Sequence, residues 1–462
     1  MKIVLLRCGP RAAFDELLNP PLGLLYLAAV LRDRGDSVRV IDLKLAPPGH
    51  DPTGELRDFA PDVIGLSAFS PDAIDLARIA KLLRRSFPHT PLVVGGPHAT
   101  SDPAATLDDG VIDFAVIGEG ESTFPELLDR LPDRPHEVPG VVTKYEGELR
   151  WGPTREPIAD PDTLPYPAWD LVDVPAYSRF HGATPVGKRP YMPVFTSRGC
   201  PFGCTYCHRI FGKTFRGRSA ASVAGEIAAL RDRFGIRTIE ICDDIFNLQP
   251  ARAIAICEAI ADRTPGTQLS FPNGLRADTM TSEVLAAMRR AGTYYISYAI
   301  ETATPRLQKM VCKNVNLEKA RDVIAQTVAA GIFTNGQFMV GFPTETEADV
   351  RRTINYAVST RFHSMSAYIF VPFPNSEIYE QVSDKIAGLK PQAHFDYHTG
   401  VVNCSEIPTP RLARLRRRMY LAFYLGRGRL LRTVWAHPDK ASLPRLAWIV
   451  IKRLWRGVAA SS

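Results

Sequence analysis

Three cysteines within the run Cys200-Pro201-Phe202-Gly203-Cys204-Thr205-Tyr206-Cys207 constrain this chain more than any other stretch. The run follows apolar residues 192–195 and the turn residues Ser197, Arg198 and Gly199. Gly199 and Gly203 mark a loop, which disfavours reading the thiols as small buried hydrophobes. Thiolates are soft ligands that select zinc, copper(I) or iron–sulfur clusters. A structural zinc site takes four ligands, usually as two separated pairs. Here there is no second pair, and His208, directly after Cys207, is awkwardly placed to close a tetrahedron. Three thiolates on a four-iron cluster would leave one iron open to a small molecule.

The run resembles the cluster loop of the radical S-adenosylmethionine (radical SAM) superfamily, including the aromatic, Tyr206, before the last cysteine. The resemblance implies that Cys200, Cys204 and Cys207 hold a [4Fe-4S] cluster and that SAM chelates its open iron. It also implies a loop that follows the first strand of a strand–helix barrel. The chain meets that condition. Strands are expected at 192–196, 238–242, 268–272, 294–300, 335–340 and 367–371, and helices at 222–234, 250–261, 282–291, 317–330 and 345–359. Gly235, Gly292 and Gly331 fall where helix C-caps belong. Six strands are too few for an eight-fold barrel and match the partial (β/α)6 barrel of radical SAM enzymes.

Polar groups at the strand ends then suggest a SAM pocket. Asp243 and Asp244 resemble the family's site for the SAM amine, since a carboxylate suits an ammonium; they could instead cap the next segment. Asn273 and Arg276 end the third strand, and Glu301 ends the fourth in a run like the family's ribose contact. Arg276 and Glu301 could equally pair with each other. Phe342 and Pro343 lie in a loop resembling the adenine side of the site, where Glu345 could cap the next helix.

The first part of the chain alternates in the same way, with strands expected at 2–6, 38–41, 63–66, 92–94 and 114–117 and helices at 22–34, 72–86 and from 122. This βαβ series implies a doubly wound parallel sheet, whose ligands sit beyond the carboxyl ends of the strands. No G-x-G-x-x-G follows the first strand, which disfavours a dinucleotide. The runs Asn19-Pro-Pro-Leu-Gly-Leu-Leu-Tyr-Leu-Ala, Gly65-Leu-Ser-Ala, Gly95-Gly-Pro-His and Ile117-Gly-Glu-Gly-Glu resemble the cobalamin-binding domain found ahead of many radical SAM proteins. By that resemblance Ser67, Ala68, Gly95, Gly96, Pro97, His98, Gly118, Glu119 and Gly120 are candidate cobalamin contacts. None of the ten histidines lies in the D-x-H-x-x-G context that ligates cobalt in mutases, so His98 reads as a pocket or turn residue.

The expected architecture is α/β. A cobalamin-type sheet spans 1–135, a hairpin and Pro-rich linker 136–188, the partial barrel 189–400, and a basic helical region 401–462. From Arg411 onward there are 13 basic residues and one acid, a net +12, against 43 basic and 48 acidic residues before it. This tail could meet an anionic surface, or it could pack its apolar side on the body and solvate the rest. Specific nucleic-acid binding is not expected. The eight cysteines are mostly scattered, which suits a reducing cytoplasm rather than a disulfide framework. No apolar run approaches the ~18 residues of a membrane span.

The resemblance implies a family chemistry: an electron donor of flavodoxin or ferredoxin type reduces the cluster, and SAM is cleaved to methionine and a 5′-deoxyadenosyl radical. In methylating members cobalamin relays a methyl group to an unactivated carbon of a small molecule. Two alternatives remain. One is a non-methylating radical rearrangement or cyclisation, as in anaerobic porphyrin cyclases. The other is a non-catalytic corrinoid or iron–sulfur carrier, which the strand-end acids disfavour.

Overall fold

A computed structural model describes residues 1–9, 18–47, 49–131, 133–184, 186–386, 402–426 and 428–444. The last part of the expected tail and the end of the expected barrel region, 387–401, lie outside the described residues.

The first sheet grows from β1 (Lys2–Arg7), whose residues Ile3, Val4, Leu5 and Leu6 are almost wholly buried. A continuous apolar run of this kind suits a central parallel strand covered on both faces. It is followed by α1 (Leu22–Asp33), β2 (Ser37–Asp42), α2 (Thr53–Phe59), β3 (Val63–Ser67) and α3 (Ala73–Ser86). The apolar face of α3 follows the helical spacing of its sequence: Leu76, Ile79, Ala80 and Leu83 are buried. Next come β4 (Leu92–Gly95), α4 (Gly96–Ser101), α5 (Pro103–Leu107), β5 (Phe114–Val116) and α6 (Gly120–Arg130). The hairpin β6 (Val141–Tyr145) and β7 (Glu148–Trp151) was expected to stand apart in the linker. Instead β6 pairs antiparallel with β5, giving a seven-stranded sheet in the order β2-β1-β3-β4-β5-β6-β7. The sheet therefore runs past residue 135, because the free edge of β5 gains a ladder of backbone hydrogen bonds by pairing.

After α7 (Val174–Tyr177) the second sheet begins at β8 (Tyr191–Val194). A short antiparallel pair, β9 (Ser197–Arg198) and β10 (Arg216–Gly217), brackets the cysteine loop. Then α8 (Ala220–Phe234), β11 (Thr238–Ile241), α9 (Pro250–Arg263), β12 (Gln268–Leu275), α10 (Ser282–Arg290) and β13 (Thr293–Glu301) alternate. They continue through α11 (Pro305–Met310), α12 (Leu317–Ala329), β14 (Phe333–Val340), α13 (Glu347–Ser359) and β15 (Ser364–Ile369). All six strands are parallel, in the order β15-β14-β13-β12-β11-β8, which is the open partial barrel expected. Gly235 caps α8 in the left-handed conformation, φ 69°. Short α14 (Glu377–Gln381) and α15 (Ser383–Ile386) precede α16 (Thr409–Leu425) and α17 (Arg429–Ala436). Helix α16 buries Leu412, Leu415, Met419 and Phe423 in the barrel core. Among the described residues no helix is long and apolar enough to cross a membrane.

Helix α1 serves both sheets. Leu24, Ala28, Ala29 and Leu31 pack in the core of the first, while Leu22, Leu25 and Tyr26 pack in the core of the barrel. On the barrel side the Tyr26 hydroxyl accepts a hydrogen bond from Arg218 Nη1 at 3.1 Å, and Arg218 pairs with Glu226 of α8. Glu226 is completely buried and the Arg218 side chain is 5% exposed. Burial pushes the Glu226 carboxyl up, and Arg218 pulls it back. Removing one member of a buried pair leaves a bare charge, which costs about 3–5 kcal/mol. Glu226→Ala should lower the unfolding free energy of the apoprotein by about that much in a denaturant titration.

Candidate functional site

The cysteine loop is held by backbone on both sides. Gly199 has φ 80°, and a Cβ there would lie 2.2 Å from the Thr214 carbonyl oxygen, so only glycine fits. Thr205 donates its N–H to Val311 O at 3.1 Å and its carbonyl accepts from Ile378 N at 3.1 Å. Phe202 lies under the Arg276 guanidinium, 4.1 Å from its ring centre. Solvent reaches Cys207, yet the surrounding loops desolvate it and push its thiol up to about 12; burial also raises Cys200. The three thiols thus line a recess rather than a flat surface. Among the described residues no three His, Cys, Asp or Glu side chains gather tightly enough for a single metal ion. A four-iron cube is a larger body whose corners keep its three thiolates apart, so this donor set fits a cluster and not zinc. His208 turns away to Asp244, Nε2 to Oδ1 3.7 Å.

The structure divides the acidic pair. Asp243 accepts from Thr196 N at 2.6 Å, Thr196 Oγ1 at 2.5 Å and Ser197 Oγ at 2.6 Å. These bonds occupy both carboxylate oxygens in tying β11 to the start of the cysteine loop. Asp244 is beside that loop, and burial pushes its carboxyl up against the pull of His208. Neither acid caps a helix, since Gln249 is the N-cap of α9. Asn273 is exposed at the strand end and donates to Cys242 O at 2.7 Å.

Arg276 and Glu301 do not pair. Arg276 binds Asp278 at 2.8 Å and donates to the carbonyls of Lys313 (2.7 Å) and Asn314 (3.0 Å). Glu301 meets Lys313 Nζ at 3.5 Å and accepts from the Tyr206 hydroxyl. Lys313 is the residue that sequence reasoning missed as a site group. Its charge reaches Cys200 and Cys207, lowering both thiols against burial. It lies in a loop fastened by Gln308, which donates to Ile300 O and Thr302 O and accepts from Val315 N. The one signal in the sequence is its position shortly after the strand carrying Glu301, in the loop between α11 and α12.

Phe342 does not face the opening. It is fully buried against Phe370 (5.2 Å) and Tyr206 (6.2 Å), so its ring backs the cysteine loop, while Pro343 remains partly exposed. Glu345 does not cap α13; Thr346 and Asp349 form that capping box. Glu345 instead accepts from Gly341 N (2.5 Å) and Phe342 N (3.3 Å), holding its own loop.

In the first sheet, β3, β4 and β5 are neighbours, so their carboxyl ends bring the candidate cobalamin residues to one edge. His98 N donates to Ala68 O at 3.1 Å and its Nδ1 is 3.4 Å from Ser70 Oγ. Burial pushes its imidazole pKa down. It lies within α4 rather than in a turn, with its side chain buried. Gly96 (φ 86°) owes its identity to Ser67, whose Oγ lies 2.6 Å from where a Cβ would be. By contrast Gly118 has nothing within 4 Å of that position, and Gly120 only Val116 Cγ1 at 3.9 Å. These two glycines leave a bare ledge, which fits a flat macrocycle.

Glu119 is not free for a ligand. It binds Arg216 at 2.6 and 3.0 Å, lies 3.6 Å from Arg198, and accepts from Ile158 N at 2.9 Å. Glu121 binds Arg198 at 2.6 Å. All four side chains are 5–7% exposed, and the Arg198 guanidinium sits 5.4 Å from the Tyr26 ring and 5.3 Å from the Phe211 ring. A buried carboxylate between two guanidiniums is satisfied, and its role is to join the first sheet to β9 and β10.

Two family models match the chain: the B12 binding domain over residues 15–128 and the radical SAM superfamily over residues 194–357. An uncharacterised methyltransferase of Pyrococcus horikoshii is 30% identical over 469 residues, covering 99% of this chain and 98% of the relative. The chain belongs to the radical SAM enzymes that carry a B12-binding domain. Within that family, the cytidylyl-2-hydroxyethylphosphonate methyltransferase of Streptomyces wedmorensis is 28% identical over 412 residues, covering 78% of this chain and 77% of that one. The radical SAM methyltransferase TsrM of Kitasatospora setae, solved with tryptophan and a SAM analogue, has the same fold. Its TM-score is 0.70 at 20% identity, with 84% of this chain and 77% of that one covered.

Burial raises the Glu345 carboxyl from 4.5 to about 8, more than the Gly341 and Phe342 N–H groups lower it. A carboxyl whose folded value is raised binds its proton more tightly in the folded state, so its contribution is whole below pH 4.5 and is lost up to about pH 8. In this radical SAM enzyme the melting temperature should fall across that window, and Glu345→Gln, which keeps an acceptor without the charge, should flatten the fall.

Proposed function

We propose that this chain methylates an unactivated carbon of a small molecule by radical SAM chemistry, with a [4Fe-4S] cluster on Cys200, Cys204 and Cys207 and cobalamin on the ledge at Gly118 and Gly120. One observation carries the reading. Glu119, next to Gly118, is ion-paired to Arg198, two residues before Cys200. The corrinoid ledge and the cluster loop therefore adjoin, which a methyl relay between the two centres requires. When bound, the cluster and SAM supply a hydrogen-abstracting radical and cobalamin supplies the methyl group.

The residues divide the remaining tasks. Asp244 offers a carboxylate to the SAM ammonium, and Lys313 offers a cation to its carboxylate. In this reading Asn273 and the rim near Glu301 would meet ribose hydroxyls, and Pro343 the adenine. Tyr206 and Phe342 pack against each other behind the cysteine loop and would exclude water from a cluster held there. His98 is buried beside Ser70 and no histidine lies in a D-x-H-x-x-G context, so cobalamin would be held without a histidine ligand. Residues 1–151 form the corrinoid unit in this reading. The cysteines suit a reducing cytoplasm, where a flavodoxin- or ferredoxin-type donor would supply electrons.

The test is product analysis of SAM with anaerobically reconstituted enzyme. About four irons per chain should bind, and both 5′-deoxyadenosine and S-adenosylhomocysteine should form with a methyl acceptor. Changing all three cysteines to Ala should abolish iron and both products. 5′-Deoxyadenosine without S-adenosylhomocysteine would mean a non-methylating radical reaction, and neither product a carrier.

The divided acids give a second expectation. Asp244→Asn should weaken SAM binding by about 1.5–3 kcal/mol, the worth of a charge-assisted hydrogen bond, with folding intact. Asp243→Asn should act mainly on thermal stability, because its partners are Thr196 and Ser197. Calorimetric SAM titration and melting curves of both variants separate the two roles.

A further inference from the structure

Helix α17 is amphipathic the wrong way round for a packed helix. Its inner side is polar: Arg429 donates to Phe362 O (2.7 Å), Val358 O (2.6 Å) and Thr360 O (2.9 Å), and Thr433 Oγ1 donates to His363 O. Its outer side is apolar, with Leu430, Leu431, Val434 and Trp435 exposed at 53, 77, 43 and 81%. Leu425, at the end of α16, adds another apolar side chain at 76%. A contiguous exposed apolar patch on a chain of this kind marks a contact surface. Its surroundings are basic. Arg414, Arg417 and Arg418 are exposed on α16, and Lys440 Nζ lies 5.0 Å from the centre of the Trp435 ring. Asp439 is the only acid after residue 410.

We propose that this face is a membrane-docking surface for anionic phospholipid. Leucines and a tryptophan among arginines and lysines, with Asp439 the single acid after residue 410, suit the headgroup boundary of a negatively charged leaflet. The charge also argues against the two self-contacts. A second copy would bring the same +12 tail against this one, and residues 445–462, with Arg445, Lys452, Arg453 and Arg456 and no acid, would lay like charge on like. The orientation follows from the barrel. α17 docks where β14 and β15 begin, next to Phe362 and His363, whereas Glu301 and Gly341 end their strands on the opposite rim. The eight residues of β14 put about 25 Å between the two ends. The bound enzyme thus sits with its reactive opening away from the lipid, so the surface anchors the protein and does not deliver substrate.

The test is flotation of the full-length protein with vesicles of phosphatidylcholine containing about 30% phosphatidylglycerol, compared with phosphatidylcholine alone. Capture is expected on the anionic vesicles, with about a tenfold loss in about 0.5 M salt. The double variant Leu431→Glu/Trp435→Glu should lose about tenfold while keeping its melting temperature, because both side chains are exposed. Absence of capture, or capture unchanged in the variant, overturns the proposal. So does a dimer in light scattering that the variant makes monomeric without any lipid binding. Flotation needs neither cluster nor corrinoid, so its failure leaves the methylation reading standing.

Discussion

The contact between Glu119 and Glu121 at the start of α6 and Arg198 and Arg216 on the β9–β10 pair is the constraint on which the rest depends. Four charges are taken out of water, and such a set is tolerable only when every member is matched. The match is nearly complete: two carboxylates meet two guanidiniums, with Ile158 and Phe211 supplying backbone partners. Two aromatic rings, Tyr26 and Phe211, flank Arg198 and exclude the water that would weaken the pairs. Because Arg198 immediately precedes Gly199, the position of the cysteine loop relative to the first sheet is set here and not by the Pro-rich linker.

Backbone strain collects at the same end of the barrel. Glu301, Cys312, Asn314, Thr344 and Asn375 all have positive φ without being glycine. Each such residue costs of order 1–3 kcal/mol and persists only where its surroundings over-determine it. Gln308 gripping the 311–315 loop and Glu345 gripping the 341–345 loop provide that support. Among the described residues the other non-glycines with positive φ, Ala60, Arg134 and Glu146, lie in the first part of the chain, so within the barrel the strain sits at the rim.

The frame was legible in the sequence because its signals are local. Period-3.6 faces such as Leu76, Ile79, Ala80 and Leu83, and capping glycines such as Gly235, need only their neighbours in the chain. The cysteine loop was legible for the same reason. What was not legible depends on partners far away in sequence. Nothing near Glu119 distinguishes a ligand contact from an ion pair with Arg216, 97 residues on. Asp243 and Asp244 are adjacent and chemically identical, and only the position of Thr196 separates them. The hairpin at Val141 to Trp151 was visible, but not that the free edge of β5 would take it in. Cys312 is exposed at the strained loop beside Lys313, and that position too depends on partners outside its own stretch of chain.

The shared helix α1 carries a further implication. Its Leu24 and Ala28 serve one core while Leu25 and Tyr26 serve the other, so no cut between the two sheets leaves both intact. A chimera that grafts another barrel onto this N-terminal sheet must bring arginines to answer Glu119 and Glu121 and an apolar seat for Leu25 and Tyr26. Without them the hybrid would bury bare carboxylates at its seam. The two halves are therefore a matched pair in folding, and a graft succeeds most easily when both travel together.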